Sequence, residues 1–203
     1  VVSRTIAREL KKNGFDVMLA DNYRNNVKQA RMDGLKVFHG NPVSRLAEKE
    51  LDLVGIGRMM GVSQNDDLNV LAVQRYVREF GKKRVYALPS QASQRKSERE
   101  QVSDDLLGIA LFSEDATFSK LASLIAQGAE MRTTNISEEF TFENYQEKYG
   151  SNAIPMFVID ARKRLTILSG LPTAEQVPAG SKVVALIKAV EKPDEKKQEA
   201  IKA

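Results

Sequence analysis

The chain is poor in residues that make or break bonds. It has no cysteine and a single histidine, His39, which excludes thiolate nucleophiles and thiolate metal sites and leaves no pair of imidazoles for a metal. His39 closes a predicted strand on its own and reads as structural. Tyr145 and Lys148 are three residues apart rather than the four a helical tyrosine–lysine proton-transfer pair needs, and no serine lies in a Gly-x-Ser-x-Gly elbow. No residue is assigned a catalytic or a metal-binding role. What the sequence does hold is a set of side-chain acceptors at particular positions: Ser3, Asp21 with Asn22, Asn41, and the run Ser63, Gln64 and Asn65.

All but Ser3 fall at the ends of predicted strands. In an open α/β sheet those carboxyl ends converge on the crevice where ligands bind. Asp21 ends the second strand of the pattern, about 20 residues beyond the place of a glycine turn, where a carboxylate can accept from both ribose hydroxyls of an adenosine. An ordinary turn aspartate, helped by Asn22, is the alternative, and the residue alone leaves both open. Ser63 or Asn65 can cap the helix that follows, and a capped helix start can still face phosphate through its N–H groups. Asp66 and Asp67 suit the positive end of that helix but would repel phosphate, so they are expected to point away. A bound nucleotide would then set its ribose on Asp21, its base beside Asn41 and its phosphates along Ser63 to Asn65.

The elements that must position these residues alternate. Val2, Ile6 and Leu10 recur at helical spacing, and Asn13-Gly14 stops that helix. Strands are predicted over 15–20, 35–39, 58–63, 84–88 and 109–113. Helices are predicted over 23–32, 44–51, 68–80, 91–101 and 118–126, the strand over 84–88 being followed by an exposed polar helix. Alternation of this kind argues for a doubly wound, Rossmann-like parallel sheet in an α/β fold. Its first strand and glycine loop are missing, because the chain opens directly on the helix "VVSRTIAREL". From about residue 129 the pattern changes: β-rich runs at 154–160 and 165–169 are joined by a turn, and a last strand covers 182–187. The expected organisation is residues 1–128 as the Rossmann-like domain, 129–190 as a small α+β lobe, and 191–203 as a charged tail.

Composition narrows the class further. The longest apolar runs are far short of the roughly 20 residues that span a bilayer, and no secretory leader is legible at the start. The net charge of +4 is small, and basic residues stand beside acidic ones without interleaved aromatics, which argues against nucleic-acid binding.

These pieces resemble one family, the RCK domain (regulator of K⁺ conductance), also called the TrkA-N or KTN domain. The resemblance rests on "VSRTIARELKKNGFDVMLAD", on "VFHGNPVSRLAEKEL", and most clearly on "VSQNDDLNVLAVQRYVREFG", where Asn69 falls at the family's characteristic asparagine. It continues more weakly through "IALFSEDATFSKLASLIAQGA", similar to a sixth strand and crossover helix, and through "IPMFVID" and "VPAGSKVVALI", similar to the RCK C-terminal subdomain. The chain also departs from the family. Ser3 stands at the third glycine position of Gly-x-Gly-x-x-Gly, Asn41 replaces an aspartate, and Leu88 stands where an arginine often follows the fifth strand.

The resemblance implies a cytosolic, nucleotide-sensing regulatory module on the inner face of a bacterial inner membrane. The expected ligand is an adenine nucleotide (AMP, ATP or NAD(H)), held weakly or not at all for want of the first two loop glycines. The expected partners are a second copy of the chain, through the stripe Phe118, Leu121, Ala122 and Ile125, and a membrane transporter. A start inside the fold favours a cation/proton antiporter over a free-standing regulatory subunit of a K⁺ uptake system or channel. Two readings from other classes stand beside this one: a Rossmann NAD(P)-dependent oxidoreductase, which lacks a well-placed acid or base, and a purely structural dimerisation domain.

Overall fold

The computed structural model describes residues 1–90 and 107–188. The helix predicted over 91–101 and the charged tail at 191–203 lie outside the described residues. Helix α1 (Val2–Lys12) forms as its spacing requires, with Val2, Ile6 and Leu10 on one buried stripe. Gly14 ends it at φ +87°, a left-handed conformation that costs glycine no Cβ clash. Strand β1 (Met18–Asp21), helix α2 (Arg24–Met32) and strand β2 (Lys36–His39) follow. The two strands pair in parallel, Leu19 opposite Val37 and Asp21 opposite His39. Then come α3 (Arg45–Glu50), β3 (Met59–Gly61), α4 (Asp66–Phe80), a 3₁₀ turn (Lys82–Arg84), β4 (Val85–Ala87) and β5 (Ile109–Ala110). Strand β4 lies between β3 and β5, parallel to both.

This is the parallel α/β arrangement expected, in two pieces. Among the described residues the spatial order is β2–β1 in one sheet and β3–β4–β5 in another. The doubly wound order places its first strand between those two groups, and β1 and β3 belong to separate sheets. Residue burial records the break. Strands in parallel sheets are normally covered on both faces, yet β1 is only partly buried and its Ala20 is exposed, while all of β4 is buried.

The rest of the described chain is α5 (Phe118–Ala126), β6 (Glu130–Asn135), α6 (Phe142–Tyr149), β7 (Ala153–Ile159), β8 (Leu165–Ile167) and β9 (Lys182–Ile187). Its four strands form an antiparallel sheet in the order β6–β9–β7–β8. Sequence reading passes over β6 and α6. Strand β6, EMRTTN, carries no run of apolar residues, and none of its residues is fully buried. The signal for α6 was nonetheless present: Thr141 caps the helix and the Asn144 side chain returns a bond to the Thr141 backbone, a reciprocal pair legible as Thr-x-x-Asn.

The largest buried cluster spans the β3–β4–β5 sheet, through Tyr86, and the antiparallel sheet. Val2, Ile6 and Leu10 of α1 and Leu121 of α5 pack in one cluster with Met156 and Phe157 of β7 and with Val184 and Leu186 of β9. The opposite face of the antiparallel sheet is covered by Phe142 and Tyr145 of α6. Within one chain the α5 stripe therefore lies on its own core, with Leu121 wholly buried and Phe118, Ala122 and Ile125 partly exposed.

Two consecutive residues join the sheets through the backbone. The Leu111 N–H donates to Ala87 O at 2.9 Å, continuing the parallel sheet. The Phe112 N–H donates to Leu168 O at 2.7 Å, and Phe112 O accepts from the Gly170 N–H at 2.6 Å, in a parallel bridge to Ser169. The turn from one sheet to the other puts Phe112 at φ +70°, a left-handed conformation rare for a bulky residue. Its ring is buried and meets Phe157 edge-on, centroids 5.4 Å apart.

Candidate functional site

Asp21 stands at the carboxyl end of β1 because Met18 to Ala20 extend in register with β2, and Gly40 N–H bonds to Asp21 O at 3.0 Å just past the strand end. The first turn of α1 approaches the same strand end. Together they form a small cleft, open to solvent, whose walls include Ser3, Arg4, Leu19, Asp21, Asn26 and Gln29. The first turn of α1 holds no acidic residue, so the partial positive charge of the helix start faces the cleft opposite the Asp21 carboxylate.

Each sequence-predicted residue has a definite place. Ser3 and Asp21 are brought together on the cleft wall. The Asp21 carboxylate is already engaged: Oδ1 accepts from the Tyr23 N–H and Oδ2 from Asn26 Nδ2, both at 2.8 Å. Asn22 is exposed in the turn beside it. Asn41 is exposed just past β2, and its Oδ1 accepts from the Val43 N–H at 3.0 Å, closing a local turn. Ser63, Gln64 and Asn65 form the β3–α4 turn on the other parallel sheet and are not among the residues of the cleft wall. There the Asn65 side chain caps α4 by accepting from Leu68 N–H at 3.0 Å, and Ser63 Oγ accepts from Asn65 N–H at 3.0 Å. The Asp66 carboxylate accepts from the Ser90 hydroxyl just past β4.

Two residues that shape this region were not among the predicted set. Arg4, one place beyond Ser3, puts a guanidinium on the cleft wall, tied to Gln29 and paired with Asp33 at 3.5 Å. A cation one turn from a helix start was readable as an anion partner. Asn69, 3% exposed, clamps the β3–α4 turn: its Oδ1 accepts from the Ser63 N–H at 2.9 Å and its Nδ2 donates to Ser63 O at 3.0 Å. Gly61 makes room for it, since a Cβ there would meet the Asn69 side chain at 3.2 Å. The asparagine that carries the family resemblance thus holds the backbone of the turn.

The TrkA-N domain family matches residues 1–105, more than half of the chain. No curated protein sequence matches. Among solved structures, the NAD(P)-binding domain of an exopolyphosphatase-related protein from Archaeoglobus fulgidus aligns over 44% of this chain and 67% of that one, at 18% identity and a TM-score of 0.37. A GsuK RCK domain aligns over 92% of this chain at 9% identity and a TM-score of 0.28; the aligned region is 46% of that chain, so this protein spans less than half its length. No helix among the described residues is long and apolar enough to cross a membrane.

Proposed function

Because the chain belongs to the TrkA-N domain family, we propose that it is a non-catalytic regulatory module that senses an adenine nucleotide (AMP, ATP or NAD(H)) and controls a bacterial monovalent-cation transporter. The observation that carries this reading is the placement of Asp21 and the first turn of α1 in one cleft. Asp21 would take the ribose hydroxyls, while Arg4 and the N–H groups opening α1 would face phosphate. A cation/proton antiporter is the transporter we favour, at the cytosolic face of the inner membrane, with a K⁺ uptake system as the alternative. Ligand can act on such a partner only by preferring one arrangement of the module over another.

A second reading, a purely structural assembly domain, is favoured by the local bonding of Asp21, whose two oxygens are already engaged within its own turn. Calorimetry with AMP, ATP and NADH separates the two. On the nucleotide reading, Asp21→Ala weakens binding by about 1.5–3 kcal/mol, the range for hydrogen bonds to charged groups. Equal affinities in both proteins would remove Asp21 from the site, and no heat with any of the three would leave the structural reading standing. We further propose a homodimer in which the partly exposed Phe118, Ala122 and Ile125 meet the partner. Sedimentation of the chain at micromolar concentration should give the dimer mass, and a monomer would refute the contact.

A further inference from the structure

Glu9 is the one acidic residue among the buried polar and charged groups of the described chain, at 6% exposure. Its carboxylate faces the other lobe. Oε1 accepts from the Thr133 hydroxyl of β6 at 2.7 Å, and Oε2 pairs with Lys12 Nζ at 3.1 Å. Asn13 closes the cluster, its Nδ2 donating both to Thr133 Oγ1 and to Glu9 O at 2.9 Å. A buried carboxylate stripped of one partner is left desolvated, so a directional contact of this kind resists sliding where apolar packing would permit it.

The other end of the same helix forms a wall of the candidate cleft, through Val1, Ser3 and Arg4. An α-helix of this length spans roughly 16 Å. Arg4 meets ligand space at one end, and Glu9 and Asn13 grip the antiparallel sheet at the other. We propose that α1 is the element through which the cleft and the antiparallel lobe communicate, with the Glu9–Thr133–Asn13 cluster as the joint. The inference rests on the cleft reading for its ligand but not for the joint itself.

Thr133→Val keeps the shape of the side chain and deletes the hydroxyl. In the ligand-free protein, amide exchange in this variant should rise about tenfold in β6 and also in α1 as far as Ile6 and Ala7. Thr133→Ser keeps the hydroxyl and should exchange as wild type does. Acceleration confined to β6, or none, would overturn the joint. With saturating AMP, wild-type β6 amides should change their exchange several-fold, while Thr133→Val should still bind AMP by calorimetry and show no response in β6. Bound AMP with an unresponsive wild-type β6 would overturn the proposal although the site reading survived. Absence of AMP heat together with a tenfold effect in the ligand-free arm would sink the choice of ligand and leave the joint established.

Discussion

Every residue of β7 is buried, whereas β1 has none that is fully so. The first belongs to a four-stranded antiparallel sheet packed on both faces. The second belongs to a two-stranded parallel sheet with an open edge. The two regions divide the work of the molecule. The antiparallel lobe supplies the larger share of fully excluded apolar surface, while the parallel half presents the strand ends, turns and helix starts where a ligand would be met. Ligand-binding loops are commonly drawn from the less stable parts of a structure, and the family match falls on that loosely packed half.

The largest effect should come from setting the two strands directly against each other. Phe157→Ala empties a site at 0% exposure and removes the edge-on contact with Phe112, so about 3–5 kcal/mol should be lost in urea unfolding. Leu19→Ala in half-buried β1 should cost only about 1–2 kcal/mol, since less surface is returned to water. Comparable losses would abolish the contrast.

Asn69→Ala probes the parallel half where it is best fixed. The Ser63 N–H and carbonyl lose their partner together, for an expected cost of about 1–3 kcal/mol. Accelerated amide exchange over residues 63–65 should accompany it. A loss under 0.5 kcal/mol, about what an unremarkable surface change costs, would show that Asn65 and Ser63 hold the turn without it.

The smallest effect belongs to Tyr145 in the antiparallel lobe. Its hydroxyl is buried and has no partner among the described residues. Tyr145→Phe should therefore change stability by no more than about 1 kcal/mol, in either direction. Burial pushes the phenol pKa up, so the unfolded chain gives up this proton first. Stability is unaffected below the ordinary tyrosine value of about 10 and falls as pH rises beyond it. The variant should lose that alkaline decline, and an unchanged decline would assign it to other groups.

The sequence made the alternation of the first half readable because its helices carry buried stripes and stop at turn residues, as α1 does at Gly14. The described parallel strands nonetheless fall into two sheets, β1–β2 and β3–β4–β5, a break that the alternation alone does not announce. The far half was less legible. Strand β6 shows only half-buried and exposed residues, and so lacks the apolar run that marks β7. At the site, the acceptors Ser3 and Asp21 were found by their places on helix and strand. Arg4 is a donor and lies outside the set of acceptors, while Asn69 is marked by the resemblance but its clamp on Ser63 consists of backbone contacts that no spacing rule encodes. The pairing of Glu9 with Thr133 joins residues 124 apart in the chain, and neither residue's neighbours announce it.

The stitch at Leu111 and Phe112 bears on the order in which the chain assembles. Phe112 and Ser169 lie some 60 residues apart, a span whose closure is entropically costly until other contacts have shortened it. The bridge also needs β4 on one side and the β8 flank on the other, so both sheets must exist before it can form. A bulky residue does not settle at φ +70° unless its surroundings hold it there. The bridge is therefore a late contact, closing only once β4 and the β8 flank are both in place and the packing around Phe112 can hold its backbone.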